Sequence, residues 1–305
     1  MRFAGPLLYG LGWIFSLIPL NAGRKLSGLL ACSAAWFNAD IWKVTLTNLT
    51  LCFPDLNHAQ RKELALSSLQ HTAALFFETG LITHWSIARL ERLVVETQGQ
   101  ELLEEALAGG TGVLLLVPHY GNWEFECVIL GPSGLLSLYE PPKIASVEPL
   151  LKASRERSGA RLERIGKSGI RALYRHLNEK KLAALLPDQT PDANAGSFAP
   201  FFGQPALTMT LAHRLLIKTG ATPLLASARR VKGGFSIHYE RLPEVLCSED
   251  SVVSVTAMNQ AIEKMIMRDP AQYQWEYKRF KRQPPGYPDH YRLPIPSAAP
   301  EGGRQ

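Results

Sequence analysis

Residues 3–20 read FAGPLLYGLGWIFSLIPL and carry no charge. That is just long enough for a helix to cross a bilayer. A cleaved signal peptide wants small residues around its cut site, and Leu20-Asn21-Ala22 opens on leucine. The flanking cations Arg2, Arg24 and Lys25 and the terminal aromatics Tyr9 and Trp13 favour an uncleaved membrane anchor, spanning or shallowly inserted. From 24 to 49 apolar residues keep helical spacing (Leu26, Leu29, Leu30, Ala34, Phe37, Ile41) until Pro54-Asp55 breaks it. Asn57 with Gln60 forms a capping box for a second helix, whose apolar face runs to Gly80.

Beyond residue 99 the pattern changes. A short helix over 100–108 ends at Gly109-Gly110, and the apolar run at 113–117 predicts a strand buried on both faces. Further strands are predicted at 135–138, 181–186, 222–228 and 234–239. Helices are predicted at about 145–158, 167–178, 206–219 and 252–268. Alternation of this kind predicts an α/β fold with a mostly parallel central sheet flanked by helices. The chain divides into an anchor helix (1–22), a helical region packed on the core (23–98), an α/β core (99–282) and an irregular tail (283–305) rich in Pro and Gly.

Composition adds two exclusions. An apolar share of 46% with 20% charged residues is that of a folded chain, not a disordered one. Four scattered cysteines, none in a C-x-x-C pair, exclude a disulfide framework and a cysteine zinc knuckle. No G-x-S-x-G, H-E-x-x-H or G-x-G-x-x-G is present, which argues against serine hydrolase, zinc protease and dinucleotide chemistry. No metal site is predicted.

The sharpest chemistry follows the first core strand: Val117-Pro118-His119-Tyr120-Gly121-Asn122-Trp123-Glu124. Reactive groups in α/β sheets gather where parallel strands end. Gly121 permits a sharp turn and Asn122 can cap a helix, so Glu124 is expected to fold back toward the imidazole. A carboxylate on one ring nitrogen would leave the other as a base. Spacing alone is weak evidence. With 8 His and 27 acids in 305 residues, chance supplies about 0.7 H-x4-E matches, and His58/Glu63 is such a decoy on a solvated helix face.

Residues 152–181 hold ten cations against three acids, more net positive charge than the +6 of the whole chain. Such a surface suits phosphate or an acidic protein. Nucleic acid is not expected, because no recognition motif or aromatic ladder accompanies the charge. Leu186-Pro187-Asp188-Gln189 ends another strand, Phe198 to Gly203 can wall an apolar pocket, and Trp275, Arg279, Phe280 and Lys281 cluster near the C-terminus. Gly121, Asn122, Arg155, Arg157, Asp188, Gln189 and Arg279 are the candidate substrate-binding residues.

Together NLTLCFPD (48–55), His119 to Glu124, RERSG (155–159), Pro187 to Gln189, Phe198 to Gly203 and QWEYKRFK (274–281) resemble the bacterial lipid A biosynthesis acyltransferases. This is the late, lauroyl- and myristoyl-type family that adds secondary acyl chains to a Kdo-containing precursor. Residues 276–278 depart from it, since a His often precedes the Arg there. The resemblance implies a glycerolipid-acyltransferase-like fold and an inner-membrane location with the site facing the cytoplasm. It implies an acyl carrier protein or acyl-CoA thioester as co-substrate and no cofactor, with acyl carrier protein, the lipid A precursor and inner-membrane lipids as partners. His119 is then the general base, Glu124 its partner, and Arg155 or Arg157 contacts the phosphate-bearing substrate or steadies the reacting groups. Backbone N–H groups near Gly121, or a nearby cation, are the expected oxyanion donors. The rivals are an acyltransferase for another lipid, a thioesterase and a non-catalytic membrane-surface protein.

Overall fold

The computed structural model describes residues 4–292. Four helices open the chain: α1 (Ala4–Ser16), α2 (Leu20–Trp36), α3 (Asp40–Cys52) and α4 (His58–His84). The uncharged stretch is therefore not one helix. Leu17 to Pro19 interrupt it, since Pro19 cannot donate into a continuing helix, and α1 and α2 meet at 119°. Among the described residues no single helix is long and apolar enough to cross a membrane; only the bent pair has the length and composition. The stretch expected to be helical through 24–49 is likewise divided, at Asn38, whose φ of 47° is left-handed. The capping box at Asn57 and Gln60 forms as expected. α1 crosses α4 where Gly80 faces Gly12, and a Cβ on Gly80 would lie 2.6 Å from the Gly12 carbonyl oxygen.

Next come α5 (Ile87–Glu91), β1 (Val94–Gln98), α6 (Gln100–Ala108), β2 (Val113–Leu116), α7 (Trp123–Leu130), β3 (Leu136–Tyr139), α8 (Glu148–Glu156), β4 (Arg161–Arg164), α9 (Lys167–Asn178) and β5 (Leu182–Leu185). β6 (Gly196–Phe201), β7 (Gln204–Met209), α10 (Leu211–Thr219), β8 (Thr222–Val231), β9 (Gly234–Arg241) and α11 (Ser251–Ile266) complete the order. Seven strands form one sheet in the order β1-β9-β8-β2-β5-β3-β4, and β8–β9 is its one antiparallel pair. The sheet is thus mostly parallel and flanked by helices. β2 and β5 lie near its centre, and their apolar runs are buried throughout. Alternate residues feed two cores: Val113, Leu115 and Leu182 pack with Phe125 and Val128 of α7, whereas Leu114, Leu116 and Leu185 pack with Leu173 of α9 and Leu215 of α10.

The helix expected over 206–219 forms only from Leu211. Residues 204–209 instead pair with β6 as a separate two-stranded hairpin. Its two-residue turn, Phe202-Gly203, has φ of 48° and 73°, the mirror-type turn suited to hairpin twist.

α7 carries an unusual buried acid. Glu126 is 1% exposed, and neither carboxylate oxygen has a hydrogen-bond partner among the described residues. Burial pushes its pKa from 4.5 to about 8. A carboxyl raised in the native state contributes stability that is complete below pH 4.5 and lost as pH rises through about 8. Glu126→Gln is therefore expected to flatten the fall in stability between pH 5 and 8. At pH 8 it should gain about 2 kcal/mol, the unpaired amide of glutamine offsetting part of the relief. Urea unfolding at both pH values measures this, and equal slopes for the two proteins would contradict it.

Candidate active site

The site follows from strand register. β2 and β5 are parallel neighbours with Leu116 opposite Leu185. Each strand continues as two residues ending in proline and then a polar side chain, so His119 and Asp188, three residues past the matched leucines, emerge side by side. Asp188 Oδ1 lies 2.8 Å from His119 Nδ1, and Oδ2 accepts the His119 backbone N–H at 2.9 Å. Burial works to raise the Asp188 carboxyl, but the charge of His119 and these hydrogen bonds outweigh it and leave the group below its usual range. An ionised carboxylate only accepts, so in the neutral imidazole the ring proton sits on Nδ1 and Nε2 keeps its lone pair. The Gln189 amide nitrogen, 3.1 Å from Nε2, donates to that lone pair. Trp123 sets its ring edge-on to the imidazole at 4.8 Å.

The expected His119–Glu124 contact is replaced by this arrangement. Both ring nitrogens are engaged by Asp188 and Gln189, while Glu124, on the first turn of α7, takes the guanidinium of Arg155 from α8. Arg155 donates Nε to Oε2 at 2.6 Å and Nη2 to Oε1, a two-pronged pair joining α7 to α8. Arg157 instead donates to the Ile82 carbonyl of α4.

Three other candidates turn inward to structural partners. Asn122 is fully buried: its Oδ1 caps α7 by accepting from Phe125 N–H at 2.9 Å, and its Nδ2 donates to Glu78 at 2.8 Å. Gly121, at φ 63°, donates its N–H to the Gln272 carbonyl at 3.0 Å, and Asn122 N–H donates to Ala228 at 2.8 Å. These backbone groups are engaged, so they are not the expected oxyanion donors. A Cβ on Gly121 would collide with the Ala228 carbonyl, which is why only glycine fits. Arg279, 2% exposed, donates to the Leu207 carbonyl and to Thr208 Oγ1, both at 2.7 Å, and so ties the β6–β7 hairpin to the C-terminal segment.

A narrow cleft opens at His119, walled by His71, Thr72 and Leu75 of α4, by Trp123, and by Gln274 and Glu276. Burial pushes Glu276 above the usual carboxyl range. Beneath the cleft lies a buried charge network. Glu78 of α4 receives Arg24 Nε from α2 at 2.8 Å and Arg230 Nε from β8 at 2.8 Å, and Arg230 Nη1 donates to the Gly121 carbonyl at 2.8 Å. No sequence motif marked these residues. A Glu within an otherwise apolar helical stretch was the available signal.

A family model described as bacterial lipid A biosynthesis acyltransferase matches residues 3–282. The chain belongs to this family. Relatives include the lipid A biosynthesis lauroyltransferase of Escherichia coli, 26% identical over 92% of each chain. The palmitoleoyltransferase of the same organism is 25% identical over 91% of this chain and 92% of its own. A lipid A biosynthesis acyltransferase of Haemophilus influenzae is 27% identical over 86% of this chain and 82% of its own. The resemblance seen in the separated motifs therefore extends over nearly the whole chain, including α1 to α4. As a lipid A biosynthesis acyltransferase, the protein is an acyl-transferring enzyme. Among the described residues no group of three or more His, Cys, Asp or Glu is arranged to hold a metal.

Proposed function

We propose that the protein transfers a fatty acyl chain from an acyl carrier protein thioester to a hydroxyl of a Kdo-containing lipid A precursor, with His119 as general base. The observation that carries this reading is the register-matched pair at the ends of β2 and β5, where Asp188 fixes the tautomer and leaves Nε2 lone-paired at the cleft. The acceptor hydroxyl displaces the Gln189 amide from Nε2 and gives up its proton there as its oxygen attacks the thioester carbonyl. Asp188 steadies the imidazolium. The tetrahedral intermediate collapses, the C–S bond breaks, and the proton passes from His119 to the departing thiolate. The products are an ester and a free thiol. The displaced Gln189 amide, next to Nε2, supplies a donor for the oxyanion. Glu124 holds Arg155 rather than the imidazole.

The donor protein is acidic, and Lys167, Arg171 and Arg175 give it an exposed cationic stripe at i, i+4, i+8 on α9. The acceptor comes from the membrane. Leu7, Trp13, Ile14, Leu29, Trp36 and Phe37 are exposed apolar side chains on α1, α2 and the turn after α2, suited to insertion into the cytoplasmic leaflet of the inner membrane. The test is an assay of purified protein with acyl carrier protein thioesters of several chain lengths and a lipid A precursor, read by mass spectrometry. One acyl group added per acceptor, without metal or nucleotide, is the expected result. Free fatty acid without acylated lipid would mean a thioesterase instead.

A further inference from the structure

A second cavity of about 320 Å³ lies beside the catalytic cleft and shares His71, Arg230 and Gln272 with it. α2 and α4 form two of its walls, and the end of β8 with the turn after it forms the third. Its size is that of a small-molecule site. Its charge is uneven. Arg24 and Arg230 share one carboxylate, Glu78, and Lys232 adds a third cation at the exposed mouth. Asp269 is the opposing acid, and its Oδ2 already accepts Gln272 Nε2 at 2.8 Å. His71 adds no charge near neutrality: burial, helped by Arg230, lowers its pKa to about 4.

Arg230 is 7% exposed, and its Nη2 has no hydrogen-bond partner among the described residues, although Nε and Nη1 are both used. Arg24, Arg230 and Lys232 against Glu78 and Asp269 leave one net positive charge around the cavity, and where screening is weak such a charge favours an anion in the adjoining space. Arg24 spends its nitrogens on Glu78 and on the Val231 and Gly234 carbonyls, so the donors left for such an anion are Arg230 Nη2 and the Lys232 ammonium, on separate positions of the wall.

We infer that this cavity is a phosphate-binding site that holds a phosphorylated headgroup while the reacting centre lies next door at His119. A phosphate ester suits the cavity, because Arg230 Nη2 and the Lys232 ammonium can meet two of its oxygens while Arg24 adds its charge. Placement in the reaction rests on the acyltransferase reading; the phosphate site itself does not. Two sources share this chemistry, a phosphate on the acceptor lipid and the phosphate of the donor's pantetheine arm.

Lys232 and Gln70 are both exposed at the mouth; Gln70 Nε2 donates to the Arg24 backbone carbonyl at 3.4 Å, and Lys232→Glu with Gln70→Glu reverses the local field while leaving the side-chain bonds of Glu78, Arg24 and Arg230 in place. The first arm uses full-length protein in detergent and needs no turnover: glucose 1-phosphate against glucose, followed by phosphorus NMR line broadening and by thermal unfolding. Glucose 1-phosphate alone is expected to broaden and to raise Tm, and the double variant is expected to bind it at least about tenfold more weakly. Equal binding by wild type and double variant, or no binding by either, overturns the site.

The second arm measures KM for both substrates. A rise of about tenfold in the KM of a phosphorylated acceptor, absent for the dephosphorylated one, places the acceptor's phosphate here. The same rise in the donor KM places the donor's phosphate. Lost sugar-phosphate binding with both KM values unchanged refutes the assignment to a substrate. A protein that binds glucose 1-phosphate in this charge-dependent way yet transfers no acyl group would overturn the acyltransferase reading and keep the site.

Discussion

His119→Ala is expected to lower kcat for acyl transfer by about 10³–10⁴-fold with the fold intact, and Asp188→Asn by about 10²–10⁴-fold. The imidazole is 12% exposed, and its removal takes from the cleft the base whose tautomer Asp188 fixes. Asparagine at 188 keeps the shape, but it removes the negative charge that Nδ1–H faces and can present an N–H there, favouring the wrong tautomer. Glu124→Gln belongs to another unit, the ion pair with Arg155, and should cost about 10–10²-fold. A double-mutant cycle separates the two units. Glu124→Gln and Arg155→Gln should be strongly non-additive with each other, because either change breaks the same pair. The His119 and Asp188 changes should likewise be non-additive. Circular dichroism with single-turnover kinetics tests both pairs. Coupling of Glu124 to His119 in place of Asp188 would return the base's partner to the H-x4-E motif.

That outcome bears on what the chain discloses before it folds. His119 was legible because a five-residue apolar run followed by proline and a polar residue is a buried strand reaching its carboxyl end. The same phrase occurs twice, at Val117-Pro118-His119 and Leu186-Pro187-Asp188. What the sequence lacks is sheet order: β3 and β4 intervene in the chain, yet β5 lies directly against β2. Local spacing therefore favoured Glu124, five residues away, over Asp188, sixty-nine away. Buried polar residues misled in the same manner. Asn122 and Arg279 have the chemistry of ligand binders, but in the fold they satisfy a helix end, a carboxylate, a carbonyl and a hydroxyl that burial would otherwise orphan. The missed strands have their own cause. β4, Arg-Leu-Glu-Arg, and β1, Val-Val-Glu-Thr-Gln, lie at the two edges of the sheet, where exposed and charged side chains obscure the apolar signature of a strand. The break at Pro19 was visible in the sequence but lay just inside the end of the uncharged stretch.

The largest stability effect is expected at Glu78→Ala, a loss of about 3–5 kcal/mol in chemical unfolding. The carboxylate is 1% exposed and is the shared partner of Arg24, Arg230 and Asn122, which come from α2, β8 and the loop before α7. Its removal leaves two guanidiniums without their carboxylate, the Arg230 side chain being only 4% exposed. Arg24 would keep its bonds to the Val231 and Gly234 carbonyls, and Arg230 its bond to Gly121, but none of these neutralises charge. Glu78→Gln should cost less, since the amide oxygen can still accept from one of the three donors. Arg230→Met combined with Glu78→Ala should recover part of the loss, because the stranded charge is then removed along with its partner. A single Glu78→Ala change with unfolding energetics within about 0.5 kcal/mol of wild type would mean that the network does not hold α2 and α4 to the sheet. Activity should fall with it. Gly121 and Asn122 lie two and three residues past His119, and both are held by side chains that Glu78 positions, so loosening the network unseats the loop that aims the imidazole into the cleft.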